Sequence, residues 1–287
     1  MSSLDVTGLP NLIVGCGYLG RRVAARWVAN GRRVAALTRR NGDSLAALGV
    51  EPVIGDVTDP SSLRNLPAAS TVLYAVGMDR SAGHSMRSVY VEGLAHVLDT
   101  LPACMRFIYV SSTGVYGQTA GELVDENAPT EPLEESGRVV LEAERLLRSR
   151  RPDAIILRFA GIYGPDRLLR KQPILKGEPL VGDADRWLNL IHVDDGANAV
   201  LAVESSDETG STLNIADDES VTRRAFYTLL AELLGAVPAK FDQRPEPGTA
   251  NRRISNVKAR EQLKWSPRYA SYRVGLPAAV RSGVPGV

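Results

Sequence analysis

An α/β fold, a doubly wound parallel sheet with a smaller C-terminal lobe, is predicted by three observations on this 287-residue chain. Apolar runs of strand length alternate with amphipathic stretches of helix length through the first half. A strand, a glycine turn and a helix start follow one another near the beginning. From Gly164 onward the texture changes, with Pro165, Pro173, Gly177, Pro179 and Gly182 close together.

The first element is Asn11–Ala24, NLIVGCGYLGRRVA. Gly15 permits a tight turn, Gly17 lets backbone approach a pyrophosphate, and Gly20 lets helix and strand pack closely. A helix opening there turns unpaired N–H groups and its positive dipole end toward phosphate. Gly15, Gly17, Tyr18, Leu19 and Gly20 are therefore the first candidates for holding a dinucleotide on a Rossmann-like sheet; the alternative is a mere glycine-rich turn. The next apolar run, Arg33–Thr38, ends in Thr38-Arg39-Arg40. An Asp or Glu there would bind a ribose 2′-OH, roughly 20 residues after the glycines. Guanidinium groups instead suit a 2′-phosphate. NADP is thus expected over NAD, against the alternative that Arg39 and Arg40 form a solvated basic turn.

Further strands are expected at Glu51–Ile54, followed by Gly55-Asp56-Val57-Thr58-Asp59, and at Thr71–Val76. Ligands of such sheets bind beyond the carboxyl ends of the strands, which adds Asp56, Val57, Ala75, Val76 and Gly77 to the cofactor candidates. A helix from about His84 to Leu101, a strand at Arg106–Val110, a helix from about Ser136 to Arg150 and a strand at Ala154–Phe159 complete the series. Later come a helix near Asp194–Val203, a strand near Thr212–Ile215, a helix near Thr222–Leu234 and a Pro-rich loop at Pro245–Gly248. The expected division is 1–163 for the nucleotide domain, with a strand returning near 212–216, and 164–287 for a smaller substrate lobe.

A formal charge of +1 gives no reason to expect nucleic acid or an anionic membrane as partner. No apolar run approaches a membrane span, and the N-terminal residues lack a signal-peptide profile. Two cysteines, Cys16 and Cys104, fit a reducing, cytoplasmic setting better than a disulfide framework. With three scattered histidines they give no metal-ligand spacing, so no metal is expected. Oligomeric state is not legible.

Val110-Ser111-Ser112-Thr113-Gly114-Val115-Tyr116-Gly117, Arg158–Pro165 (RFAGIYGP) and Ile191-His192-Val193-Asp194-Asp195 together resemble segments of the extended short-chain dehydrogenase/reductase superfamily, in the right order. The resemblance implies that Asp56 contacts adenine and that Thr113 orients a substrate oxygen. It also implies a catalytic Tyr and Lys four residues apart, and these are missing: Ser136 and Val140 stand in their places. The lysines are Lys171, Lys176, Lys240, Lys258 and Lys264, none in the nucleotide-binding half. Arginine does not deprotonate in proteins and cannot take over as proton relay. Val14 stands at the first glycine of the usual GxxGxxG, and Tyr90 at the active-site Asn. The chain is most similar to atypical members related to NAD(P)-dependent epimerase/dehydratases; Asn251–Asn256 and Trp265–Tyr269 share that likeness.

Thr113 is a candidate catalytic hydroxyl or a turn former. Tyr116 is a candidate phenol beside the nicotinamide or a packing aromatic with its OH on backbone. Tyr90 is a further candidate; Tyr163 is read as a buttress and His192 as structural. Arg158, Arg167 and Arg186 lie near the lobe's entry, and Arg167 and Arg186 are taken as substrate-binding, since phosphates of nucleotide sugars, the substrates the resemblance implies, suit arginine. Glu142 and Glu144 are expected to face solvent, or to pair with Arg138. The function expected is an NADP-dependent oxidoreductase or epimerase/dehydratase-like protein acting on a small molecule with non-standard acid/base residues; the alternative is an inactive NADP-binding redox sensor or partner-binding protein.

Overall fold

Asn11–Val14 (β1) is buried at every position, as a strand covered on both faces must be. In the computed structural model, which describes residues 8–40, 42–102, 104–242, 244 and 248–282, β1 lies between Val34–Thr38 (β2) and Ala69–Tyr74 (β4). Glu51–Ile54 (β3) pairs with β2, and Cys104–Ser112 (β5) with β4, all in parallel. Ile155–Phe159 (β6) and Thr212–Ile215 (β7) complete a seven-stranded sheet of order β7-β6-β5-β4-β1-β2-β3. Ile156 N donates to Ser211 O and Ala160 N to Ile215 O, so β6 and β7 also run in parallel. The order reverses between β1 and β4, which makes their carboxyl ends the crevice where such sheets bind ligands. The expected strand returning near 212–216 is β7.

The chain forms two compact units. One comprises 1–112, 138–158 and 197–212; the other comprises 113–137, 159–196 and 213–287. The expectation of one boundary at 163 differs from this interleaving, because segments after β5 and β6 leave for the second unit before the chain returns. The first unit contains Tyr18–Ala29 (α1) and Gly93–Thr100 (α2). Glu135–Arg150 (α3) belongs to it from residue 138 on. Its core joins Leu12, Val14, Val72, Tyr74, Phe107, Tyr109, Ala143 and Ile156. The second unit is built around Tyr163, Leu190, Phe226, Tyr227, Leu230, Tyr272 and Leu276, with Arg223–Leu233 (α4) and Tyr272–Ser282 (α5) packed there. The α5 helix carries Pro277 inside it, a residue that removes a helical hydrogen bond. Of the expected Pro-rich loop, 245–247 lie outside the described residues. Among the described residues no helix is long and apolar enough to cross a membrane.

Candidate functional site

The glycine turn sits where β1 ends. Gly15 has φ +93°, and a Cβ on it would lie 2.6 Å from Val76 N, so a side chain there is excluded by conformation and by space. Ala75 N donates to Val14 O at 2.8 Å, drawing Ala75–Gly77 alongside the turn. Gly17, the N-cap of α1, is different: nothing lies within 4 Å of a Cβ built there. A Cβ on Gly20 would lie 2.8 Å from Gly15 O, so helix and turn approach as expected. No side chain caps α1 and its first turn has no acidic residue, leaving its N–H groups for an anion. Burial pushes the Cys16 thiol up to about 11, so it adds no negative charge beside that position. Open Gly17, uncapped N–H groups and a neutral thiol fit a dinucleotide pyrophosphate.

At the end of β2, Arg39 and Arg40 are exposed. Arg39 Nη2 donates to Asp79 Oδ2 at 2.7 Å, and its Nε lies 4.0 Å from Asp56 Oδ2. The Thr38 hydroxyl donates to the Arg40 carbonyl. Bonds from Ser81 and Arg39 hold the Asp79 carboxyl down to about 2. Asp56 Oδ1 accepts Thr58 N and Oγ1 at 2.9 and 2.8 Å. Val57 is buried, and a Cβ on Gly93 would lie 2.8 Å from its Cγ2, so α2 docks against it. The structure thus gathers Gly15–Gly20, Thr38–Arg40, Asp56, Val57 and Ala75–Gly77 along the carboxyl ends of β1 to β4 within one unit.

The remaining candidates separate by burial. In the second unit Tyr116 is 0% exposed and its hydroxyl donates to Asn214 Oδ1 at 2.9 Å. In this structure Tyr116 packs as a buried aromatic with its OH held by Asn214. Thr113 follows β5, buried, and its carbonyl accepts Arg252 Nη2 at 2.5 Å. Burial pulls the Arg252 guanidinium below its ordinary value, and Arg186 nearby adds to the effect. Arg167 is exposed in a tight turn closed by paired hydrogen bonds with Gly164. Ser136 stands at the start of α3 with Oγ 3.4 Å from Glu134 Oε2, and Val140 is half-buried one turn on.

Two expectations are corrected. Glu144 does not face solvent: it is buried and accepts Arg158 Nε and Nη2 at 3.0 and 2.7 Å, and Ser111 Oγ at 2.5 Å. Arg158 is thereby held inside the first unit instead of standing at an entry. Glu142 is met by Arg87, at 2.9 Å. His192 is structural, 1% exposed, with its ring 5.4 Å from Tyr163 and 4.0 Å from Tyr269. Asp195 Oδ1 accepts Arg268 N at 2.9 Å and its Oδ2 accepts Tyr269 N at 2.8 Å. Sequence reasoning missed Arg252, one residue among many arginines, and Asp217, whose burial no local pattern signals. Among the described residues no group of three or more His, Cys, Asp or Glu could hold a metal ion.

This sheet order, with its glycine turn at the switch point, defines a dinucleotide-fold protein of the short-chain dehydrogenase/reductase type. Residues 11–216 match the NAD dependent epimerase/dehydratase family, and the chain belongs to it. It is similar to Protein YeeZ of Escherichia coli (strain K12), 30% identical over 241 residues that cover 80% of this chain and 85% of that one. It is also similar to a UDP-glucose 4-epimerase of Azospirillum brasilense, 28% identical over 218 residues covering 63% and 62%. The solved UDP-glucuronic acid 4-epimerase of Bacillus cereus, in complex with UDP-glucuronic acid and NAD, superimposes with a TM-score of 0.80 over 96% of this chain and 98% of that one; at 20% identity this shows the shared fold.

Proposed function

We propose that this chain is an NADP-dependent oxidoreductase or epimerase/dehydratase-like enzyme acting on a small molecule of the nucleotide-sugar class. The observation that carries the cofactor reading is the pairing of an open, uncapped glycine turn with Arg39 and Arg40 at the end of β2. Gly17 and the first N–H groups of α1 would hold the pyrophosphate, Arg39 and Arg40 the 2′-phosphate, and Asp56 with Val57 the adenine. When bound, the nicotinamide supplies or takes a hydride. Thr113 would orient a substrate oxygen, Arg167 and Arg186 would bind substrate phosphate, and Tyr116 supports the Thr113 turn from within the second unit. Nucleotide sugars are favoured because the A. brasilense relative is a UDP-glucose 4-epimerase.

The test is equilibrium binding followed by reduced-nicotinamide fluorescence. NADPH should bind at least about tenfold more tightly than NADH, a difference of about 1.4 kcal/mol. Equal affinities would overturn the NADP assignment, and no binding would overturn the cofactor site.

A second reading is favoured by Ser136 and Val140 at the places of the Tyr and Lys: a redox sensor that binds NADP and NADPH unequally without turnover. Unequal affinities, with no NADPH consumed by keto sugars and no UDP-sugar converted to another sugar product, would select it.

A further inference from the structure

Tyr90 lies in a π-helical turn, Ser88–Glu92, immediately before α2. Such turns are rare and often serve functional sites. Its hydroxyl oxygen accepts the Met78 N–H at 3.0 Å. Met78 follows Ala75–Gly77, the segment that Ala75 N and Val76 N bring against Val14 and Gly15. Two short backbone links therefore join the Tyr90 hydroxyl to the glycine turn.

The direction along the sheet also agrees. Arg39 and Asp56 stand at the ends of β2 and β3, on the adenosine side of the turn. A dinucleotide laid across the switch point sends its other half the opposite way, over β4 and β5. Tyr90 packs against that side of the core, close enough to Tyr74 at the end of β4 and Tyr109 in β5 to influence both phenols.

Other phenols are poorly placed to give up a proton. Tyr74, Tyr109, Tyr116, Tyr163, Tyr227 and Tyr272 are all buried. Tyr18 lies under the Arg22 guanidinium, 4.1 Å from its ring centre, and the Tyr269 ring packs on His192. Tyr90 is half-buried. The Met78 N–H occupies an oxygen lone pair and leaves the phenol O–H to donate.

We propose that Tyr90 is the proton donor of this chain, delivering its hydroxyl proton to a substrate oxygen at the nicotinamide end of the dinucleotide site. The proposal rests on the NADP reading above. The Tyr90 O–H bond breaks as an O–H bond forms on the substrate; the tyrosinate is held by the Met78 N–H and regains its proton from solvent. The electron pair that completes the substrate's reduction is the hydride of the reduced nicotinamide.

The test is a pH titration of tyrosinate absorbance for the free chain and for the chain saturated with NADP or with NADPH, in wild type and Tyr90→Phe. The oxidised nicotinamide ring is positive, so NADP should lower the titration of one phenol by about one pH unit. NADPH should not, and the shifted phenol should be missing from Tyr90→Phe. Burial holds Tyr74, Tyr109, Tyr163, Tyr227 and Tyr272 above the ordinary tyrosine range, and the comparison with Tyr90→Phe assigns the shift among the other phenols. Cofactor binding is measured on the same samples. A shift that survives in Tyr90→Phe, or no shift although NADP binds, would overturn the proposal alone. No binding would overturn the cofactor reading and the proposal with it. Carbon-13 labelling of the tyrosine ring in the wild type gives the same answer should Tyr90→Phe not fold.

Discussion

Glu144 takes two nitrogens of the Arg158 guanidinium, Nε at 3.0 Å and Nη2 at 2.7 Å, at a place where the residues are 4% and 7% exposed. Ser111 adds a third bond to the same carboxylate. The pair ties α3 to β6, and Ser111 ties both to the end of β5, directly before Thr113. Removing one partner breaks a buried ion pair, which typically costs about 3–5 kcal/mol. Glu144→Ala and Arg158→Ala should each lose that much stability in urea denaturation. The double variant Glu144→Leu/Arg158→Met should recover most of it, since a buried pair gains little over apolar side chains of similar volume. Additive losses in the double variant would show that the two side chains act separately.

Gly15 and Gly17 make opposite demands, and substitution separates them. Gly15→Ala needs an L side chain at φ +93° with its Cβ 2.6 Å from Val76 N; it should lose at least about 2 kcal/mol of stability. Gly17→Ala meets nothing within 4 Å and should leave the melting temperature nearly unchanged. The added methyl would nonetheless stand where the pyrophosphate approaches, and NADPH affinity should fall at least about tenfold, or about 1.4 kcal/mol. Full affinity in a folded Gly17→Ala would mean that the phosphates lie elsewhere.

The strands of the sheet were legible because a parallel strand buried on both faces is mostly apolar, as Asn11–Val14 and Ile155–Phe159 are. The second unit was not, because its strands are two or three residues long, such as Trp187–Leu188 and Val221–Thr222, too short for any periodicity to register. The glycine turn was legible since backbone geometry restricts residue type there. Glu144 misled because helical spacing offered Arg138 as a local partner of its neighbour Glu142, while its own partner, Arg158, comes from β6. The grouping of 113–137 with 159–196 and 213–287 in one unit rests on contacts between distant segments, for which no local pattern gives a signal.

Arg39 is engaged before any cofactor arrives, by Asp79 at 2.7 Å and by Asp56 at 4.0 Å. A 2′-phosphate has to compete with Asp79 for the guanidinium. Arg39→Ala removes a charge-assisted bond worth about 1.5–3 kcal/mol, so NADPH affinity should fall about 10- to 150-fold. NADH affinity should change less than about threefold. Asp79→Asn should move the other way, tightening NADPH while leaving NADH alone. Parallel losses for both cofactors in Arg39→Ala would return Arg39 and Arg40 to a solvated basic turn.

Asp217 in the second unit is 4% exposed, and its Oδ2 has no hydrogen-bond partner among the described residues. Burial first, and the nearby Asp218, Glu219 and Asp195 after it, push its carboxyl up to about 9. In the unfolded chain the same group titrates near 3.8. Between those values the folded chain keeps a proton that the unfolded chain has lost, so stability falls as pH rises, by up to about 1.4 kcal/mol per pH unit. The contribution is complete below about pH 4 and gone above about 9. Asp217→Asn keeps an oxygen for the Glu219 N–H and cannot ionise. Its melting temperature should match wild type near pH 4, exceed it at pH 8, and show a smaller fall between. Parallel curves for the two proteins, measured by scanning calorimetry, would mean that Asp217 is already ionised in the folded chain, with its charge met by a group that reaches Oδ2.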